Sequence, residues 1–203
     1  LFNTFQKQID GVEPVYGILR PAKTWNPIII NFKHISQLIK DAWYANRFID
    51  KFIIWFMPTG WRPKDVIEKI PLNQLADPYE QIKYKTVNSR LLIIWSWIQH
   101  IIAGVMMFHL FAVMNIEKPS LLDFLYGTFL FLHIFSFTAL LDHSKFSVVS
   151  EFLKLVLGLI LIFTNGNMWF NLSGVLVVFI IFYFISSFIL TLSFYLSHRQ
   201  FYF

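Results

Sequence analysis

Apolar residues run almost unbroken through the second half of the chain and recur at helical intervals in the first. Residues 91–114 contain no Lys, Arg, Asp or Glu. At a rise of about 1.5 Å per residue, a helix of this length crosses about 30 Å of hydrocarbon. Residues 121–141 form a second such run, with Asp123 at its entrance. Residues 172–197 form another, long enough to tilt. Between them, 149–164 is shorter and carries Glu151 and Lys154 in its first turns. A run of this length suits a re-entrant or interfacial segment, but both side chains can snorkel to the headgroups and let it span. One helical turn apart, they are expected to neutralise each other at the membrane surface. The pattern predicts an all-α integral membrane protein, with amphipathic interfacial helices followed by four transmembrane helices.

The first ninety residues read differently. From Ile28 to Ala45 the apolar positions Ile28, Phe32, Ile35, Leu38, Ile39, Ala42 and Trp43 follow helical spacing and form one stripe. Lys33, Lys40 and Asp41 interrupt it. Asn26-Pro27 supplies a start signal, with Asn as cap and Pro in the first turn. A second short helix, Arg47 to Phe56, ends in Phe52-Ile53-Ile54-Trp55-Phe56, too short to span and suited to the membrane interface. Pro58 stops it, Gly60-Trp61-Arg62-Pro63 turns the chain, and Pro71 and Pro78 predict an irregular remainder. Ahead of these elements, Pro14, Pro21 and Pro27 bias their preceding residues away from helix. Gly17 permits a left-handed turn. Tyr16 and Trp25 carry flat rings that can pin the segment. The expected organisation is an N-terminal segment (1–27), interfacial helices (28–57), a proline-containing connector (58–90) and membrane helices (91–198).

Composition sharpens this picture. Hydrophobic residues make up 56% of the 203, and 24 are Phe, with a mean hydropathy of +0.56; water-soluble domains are less apolar. Charge is uneven: residues 1–90 hold 13 Lys/Arg and 8 Asp/Glu, against 4 and 4 in residues 91–203. The basic residues are interleaved with Trp, Ile and Phe rather than clustered, which makes nucleic-acid binding a poor reading and favours a face near anionic headgroups. Lys83, Lys85 and Arg90 precede the first span, so the N-terminal part is expected on the cytoplasmic side, of a bacterial inner membrane or the endoplasmic reticulum. With four spans, His198-Arg199 returns to that side. There is no Cys, hence no disulfide and no thiolate metal site. No signal-peptide pattern opens the chain. The Leu1 start leads to the expectation that further sequence lies upstream.

Chemistry is sparse. The six histidines are His34, His100, His109, His133, His143 and His198, none with another at i+3 or i+4. His100 and His109 fall on opposite sides of one helix at about 100° per residue. HExxH and HxxHH are absent. Two His and a carboxylate converging on open positions, as a non-haem iron site requires, are not supplied locally. His100 or His133 could meet His109 or His143 across helices. The expected role is a neutral imidazole bonded to a neighbouring helix carbonyl; a haem site on His100, His109 or His133 is the alternative. His143 beside Asp142 reads as a wetted interface pair. Trp55, Trp61, Trp95 and Trp97 read as an interfacial aromatic belt, the alternative being a lipid-chain channel. No catalytic, cofactor-binding or metal residue is assigned in this chain.

Three stretches, "LFNTF", "EPVYGILRPAKTWNP" and "FIIWFMPTGWRPKD", resemble the region after the last histidine cluster of the sterol desaturase / fatty acid hydroxylase superfamily, in its alkylglycerol monooxygenase-like branch. The matching positions include Glu13, Pro14, Tyr16, Gly17, Pro21, Trp25, Asn26, Pro27, Gly60, Trp61 and Pro63, within residues 1–66; Asn3 departs from the usual glycine. The later spans resemble that branch only in hydropathy. The resemblance implies O2-dependent hydroxylation of a membrane lipid at a di-iron centre held by HxxxH and HxxHH clusters, with tetrahydropterin as the branch's reductant. None of those clusters occurs here. The resemblance therefore implies the C-terminal membrane portion of a lipid monooxygenase, inactive alone, whose partner is a missing N-terminal histidine-rich segment. In that setting Tyr16 and Trp25 would pack beneath the di-iron domain, and the interfacial helices would set its height on the bilayer. The competing expectation is a non-enzymatic membrane scaffold or lipid-binding module.

Overall fold

The computed structural model describes residues 21–72 and 82–200, the side chains of 199–200 excepted. Glu13, Pro14, Tyr16, Gly17 and Pro78 lie outside the described residues. The described residues are helical and form no strand beyond one isolated bridge, Trp169 with Leu172. The helices are α1 (Pro27–Tyr44), α2 (Phe48–Ile53), α3 (Lys64–Lys69), α4 (Arg90–Val113), α5 (Leu121–Leu141), α6 (Phe146–Thr164) and α7 (Val175–Gln200). The chain divides into two compact units, and the division falls within α1, after Phe32.

In the smaller unit, the rest of α1 is joined by α2 and α3. Its inward-facing residue is polar: Asp41 is buried, while Ile35, Ile39 and Trp43 are exposed. The Asp41 carboxylate accepts two bonds from Arg62, at 2.6 Å from Nε and 2.7 Å from Nη2, and a third from Gln37 Nε2 at 2.8 Å. This forked geometry satisfies a charge that would otherwise be costly to bury. The apolar stripe is thus left on the surface. The second helix is shorter than the expected Arg47–Phe56, ending at Ile53 and continuing only as a turn. α3 interrupts the expected irregular connector. Pro63 takes its N-cap position, Asp65 falls in its first turn and Lys69 in its last, charges that match the helix dipole. Gly60, at φ +96°, makes the preceding turn, and Lys69 Nζ reaches back to Asn46 Oδ1 at 2.6 Å.

The larger unit is the membrane bundle. α4, α5, α6 and α7 are all long and apolar enough to cross a bilayer, so the protein is an all-α integral membrane protein. Ser89 caps α4, accepting from the Leu92 amide at 3.2 Å. Ser120 and Asp123 form a reciprocal capping box at the start of α5. The short turn between α5 and α6 makes them antiparallel neighbours; α4 packs on α5 and α6 on α7. Gly158 on α6 admits the rings of Phe184 and Phe129, which a Cβ there would strike. The final span begins at Val175, later than the expected residue 172, because Trp169 and Leu172 exchange backbone bonds of 2.9 Å and Gly174 turns the chain at φ +63°. That turn tucks Trp169 into an aromatic core with Tyr126, Phe129 and Phe184.

Candidate functional site

The most concentrated chemistry lies inside the bundle. Along α6, Ser147, Ser150, Glu151, Lys154 and Gly158 recur at intervals of three and four and are all buried. A polar or small stripe in an otherwise apolar helix turns away from lipid. Glu151 and Lys154 therefore do not snorkel to the headgroups, and they do not neutralise each other at the surface. Both are fully buried, with Lys154 Nζ 2.5 Å from Glu151 Oε1.

Each hydrogen of the Lys154 ammonium has an acceptor: Glu151 Oε1, Ser187 Oγ at 2.9 Å and His133 Nδ1 at 3.3 Å. Ser187 in turn donates to Glu151 and accepts from Gln99 Nε2 at 2.7 Å. Ser136 donates to the other Glu151 oxygen, and Tyr183 donates to Gln99 Oε1. His133 Nε2 donates to the Gln99 carbonyl at 2.9 Å. A carbonyl can only accept, so Nε2 carries the proton and Nδ1 offers its lone pair to Lys154. α4, α5, α6 and α7 all contribute. A cluster with its donors and acceptors paired, in a setting where water cannot replace a lost partner, holds four helices in one register.

His133 thus plays the expected part of a neutral imidazole bonded to a neighbouring helix carbonyl. His109 bonds the Tyr126 hydroxyl at 3.1 Å, which also accepts from Trp169 Nε1 at 3.2 Å. His100 makes ring contacts with Trp97 and Phe137. The three haem candidates are engaged with different partners rather than converging. Among the described residues, no group of three His, Asp or Glu side chains could hold a metal ion. The described residues do not fit a di-iron centre.

The second polar region lies at the α4-start, α7-end side of the bundle. Asp142 accepts from the Thr24 hydroxyl and from the Trp25 amide at 2.9 Å. Trp25 Nε1 donates to Thr86 Oγ1 at 2.9 Å. Asn26 is fully buried; Oδ1 caps α1 by accepting from Ile28 and Ile29, and Nδ2 donates to the Phe135 carbonyl at 3.2 Å. The Thr24-Trp25-Asn26 segment is therefore fastened to the end of α5. Asp142 is thus not simply the wetted partner of His143. That imidazole donates from Nε2 to the Val87 carbonyl at 3.2 Å and stacks on His198, ring centroids 3.3 Å apart. Burial, then the neighbouring His198, holds the His143 pKa below its ordinary value. Of the other motif residues, the Pro21 carbonyl accepts from Lys33 Nζ at 3.1 Å. Gly60, Trp61 and Pro63 build the turn into α3, with the Trp61 amide bonded to the Pro58 carbonyl at 3.0 Å.

Sequence reasoning missed Gln99, Ser136, Tyr183 and Ser187. The available signal was the α6 stripe, which predicts that the facing helices supply polar partners. Lone Gln and Ser residues in apolar helices carry no spacing of their own to identify them.

The chain is similar to the alkylglycerol monooxygenase of Homo sapiens, 26% identical over 166 residues that make up 79% of this chain and 36% of that protein. The chain thus spans well under two thirds of that relative's length. The likeness supports a lipid-monooxygenase-like relationship. No protein-family model matches the chain. No solved structure matches it either.

Proposed function

We propose that this chain is the C-terminal membrane portion of an O2-dependent lipid monooxygenase of the alkylglycerol monooxygenase-like kind, in the sterol desaturase / fatty acid hydroxylase superfamily. It seats and orients a catalytic portion and does not itself hold the metal. The observation that carries the reading is the 26% identity across 79% of the chain to the human enzyme. The described residues assemble no metal site, so a di-iron centre would rest on a histidine-rich partner segment. The bundle's contribution is rigidity: the Glu151–Lys154 cluster fixes the four helices, and Asp142 fastens the Thr24-Trp25-Asn26 segment to them. The exposed Trp43, Phe48, Phe52 and Phe56 suit insertion at the bilayer interface, with the preceding polypeptide on the cytoplasmic face. Orientation of this kind serves catalysis by limiting the geometries available to a bound lipid.

The test joins the chain to the portion of the human relative that the similarity leaves uncovered and compares it with the chain alone. The joined protein is expected to bind iron and to oxidise alkylglycerol with O2 and tetrahydropterin, and the chain alone to do neither. Stoichiometric iron or lipid oxidation in the chain alone overturns the proposal, as does a joined protein that binds iron yet oxidises no lipid. The latter result favours a non-enzymatic membrane scaffold, a reading supported by the buried Glu151–Lys154 cluster, to which all four bundle helices contribute.

A further inference from the structure

An imidazole is turned outward from the middle of α4. His100 is exposed and lies about 2 Å from the midpoint of this 24-residue helix, at about 1.5 Å per residue. The face around it is apolar: Trp97, Ile101 and Phe108 are exposed with it. Histidines at membrane depth almost always turn to the bundle interior or to a polar cavity. His109 and His133 each have a hydrogen-bond partner within the bundle. Among the described residues His100 has ring contacts with Trp97 and Phe137 and no hydrogen bond. A neutral imidazole carries one N–H and one lone pair, and hydrocarbon offers a partner to neither. The partner belongs to whatever covers this face.

The chemistry of the face selects a second copy of the same chain. An imidazole is self-complementary, since the N–H of one donates to the lone pair of another. A copy inserted in the same direction brings its own His100 to the same depth, so a two-fold axis along the membrane normal sets the two rings opposite each other. Any other polypeptide must carry a matching polar group at that one depth. Charge does not oppose the contact, because residues 91–113 contain no Lys, Arg, Asp or Glu. A second observation concerns Gly104, four residues on and on the same side of the helix. A Cβ at Gly104 would meet no neighbouring atom within 4 Å, whereas one at Gly158 would strike the Phe184 ring. Packing within the chain therefore requires a glycine at 158 and not at 104. A glycine on an outward helix face lets a second helix approach closely.

We propose that this chain forms a two-fold dimer in the bilayer through α4, with His100 of one copy hydrogen-bonded to His100 of the other and the helices closest at Gly104. The contact requires neither a metal nor the monooxygenase reading.

The test measures energy transfer between donor- and acceptor-labelled full chains in phosphatidylcholine vesicles over a range of protein-to-lipid ratios. The chain has no Cys, so Glu117→Cys in the exposed turn after α4 gives a single labelling site. The parent is expected to associate. His100→Leu should weaken association about fivefold, the ratio given by one interhelical hydrogen bond of about 1 kcal/mol. His100→Asn, which again offers a donor and an acceptor, should stay within about twofold of the parent. Gly104→Leu should weaken association with no fall in thermal midpoint, because leucine is the better helix former and its side chain meets open space. Phe182→Leu, on the exposed face of α7, should change nothing. A parent that stays monomeric overturns the proposal, as does His100→Leu associating like the parent or Phe182→Leu weakening association as much. Joining the chain to the uncovered portion of the human relative should leave the dimer intact; loss of self-association there means that the added polypeptide covers the face, and overturns the proposal too. A His100→Leu protein that fails to fold leaves Gly104→Leu and His100→Asn to decide. The readout is independent of iron and of lipid oxidation, so the two proposals fail separately.

Discussion

Replacing Lys154 with Met keeps the side chain's length and removes its charge. Glu151 then keeps the Ser136 and Ser187 hydroxyls but loses a cation 2.5 Å away, at a position with no access to solvent. Breaking a buried pair on one side costs about 3–5 kcal/mol. For a domain of 150–250 residues each kcal/mol moves the midpoint by about 2–4 °C, so Lys154→Met should fall by about 6–20 °C. Ser187 and His133 Nδ1 lose their donor in the same step, which places the cost toward the upper end. The double variant Glu151→Gln/Lys154→Met removes both charges, leaving a loss of about 1–2 kcal/mol from weakened hydrogen bonds. The assay is intrinsic tryptophan fluorescence during heating in nanodiscs at one scan rate, with Trp169 reporting from the core. A double variant more stable than Lys154→Met is the expected signature. Had the pair lain at the headgroups, the single variant would sit within about 1 kcal/mol of the parent. That outcome, or a double variant worse than either single, would refute a buried clamp.

Three further outcomes are expected. Asp142→Ala removes the acceptor for Thr24 and Trp25, and hydrogen exchange at the Trp25 amide should accelerate by at least about tenfold, since bonds to a charged group are worth about 1.5–3 kcal/mol. Gly158→Ala drives a methyl group into the Phe184 ring, with Phe129 3.0 Å away; the overpacking should cost about 1–3 kcal/mol in the same thermal assay, and Phe184→Leu should recover part of it. The third concerns pH. His143 is held below its ordinary pKa of 6.5 in the folded chain, so between the two values the unfolded chain binds more protons and stability rises with pH. The contribution is complete above the unfolded value and disappears as pH falls through the folded one. Midpoints measured from pH 5 to pH 8 should show this slope, and His143→Asn, which tolerates the local φ of +54°, should flatten it.

Length and hydropathy settled the number of membrane helices before any coordinate, because spanning hydrocarbon requires about twenty apolar residues in hydrogen-bonded helix whatever the neighbours. The Asn26-Pro27 start of α1 was equally legible, since a cap acts over three residues and needs no tertiary partner. Pairings between distant segments were not. Asp41 read as an interruption in an apolar stripe, and only Arg62, twenty-one residues on, turns that face inward. Glu151 and Lys154 looked like residues bound for the headgroups because snorkelling is a local option. Packing decided otherwise by bringing Gln99, His133, Ser136, Tyr183 and Ser187 to meet them from three other helices. An ionic pair in apolar sequence can be satisfied by water at the surface or by protein inside. The local sequence is the same in both cases, and the choice rests on partners that only the folded bundle supplies.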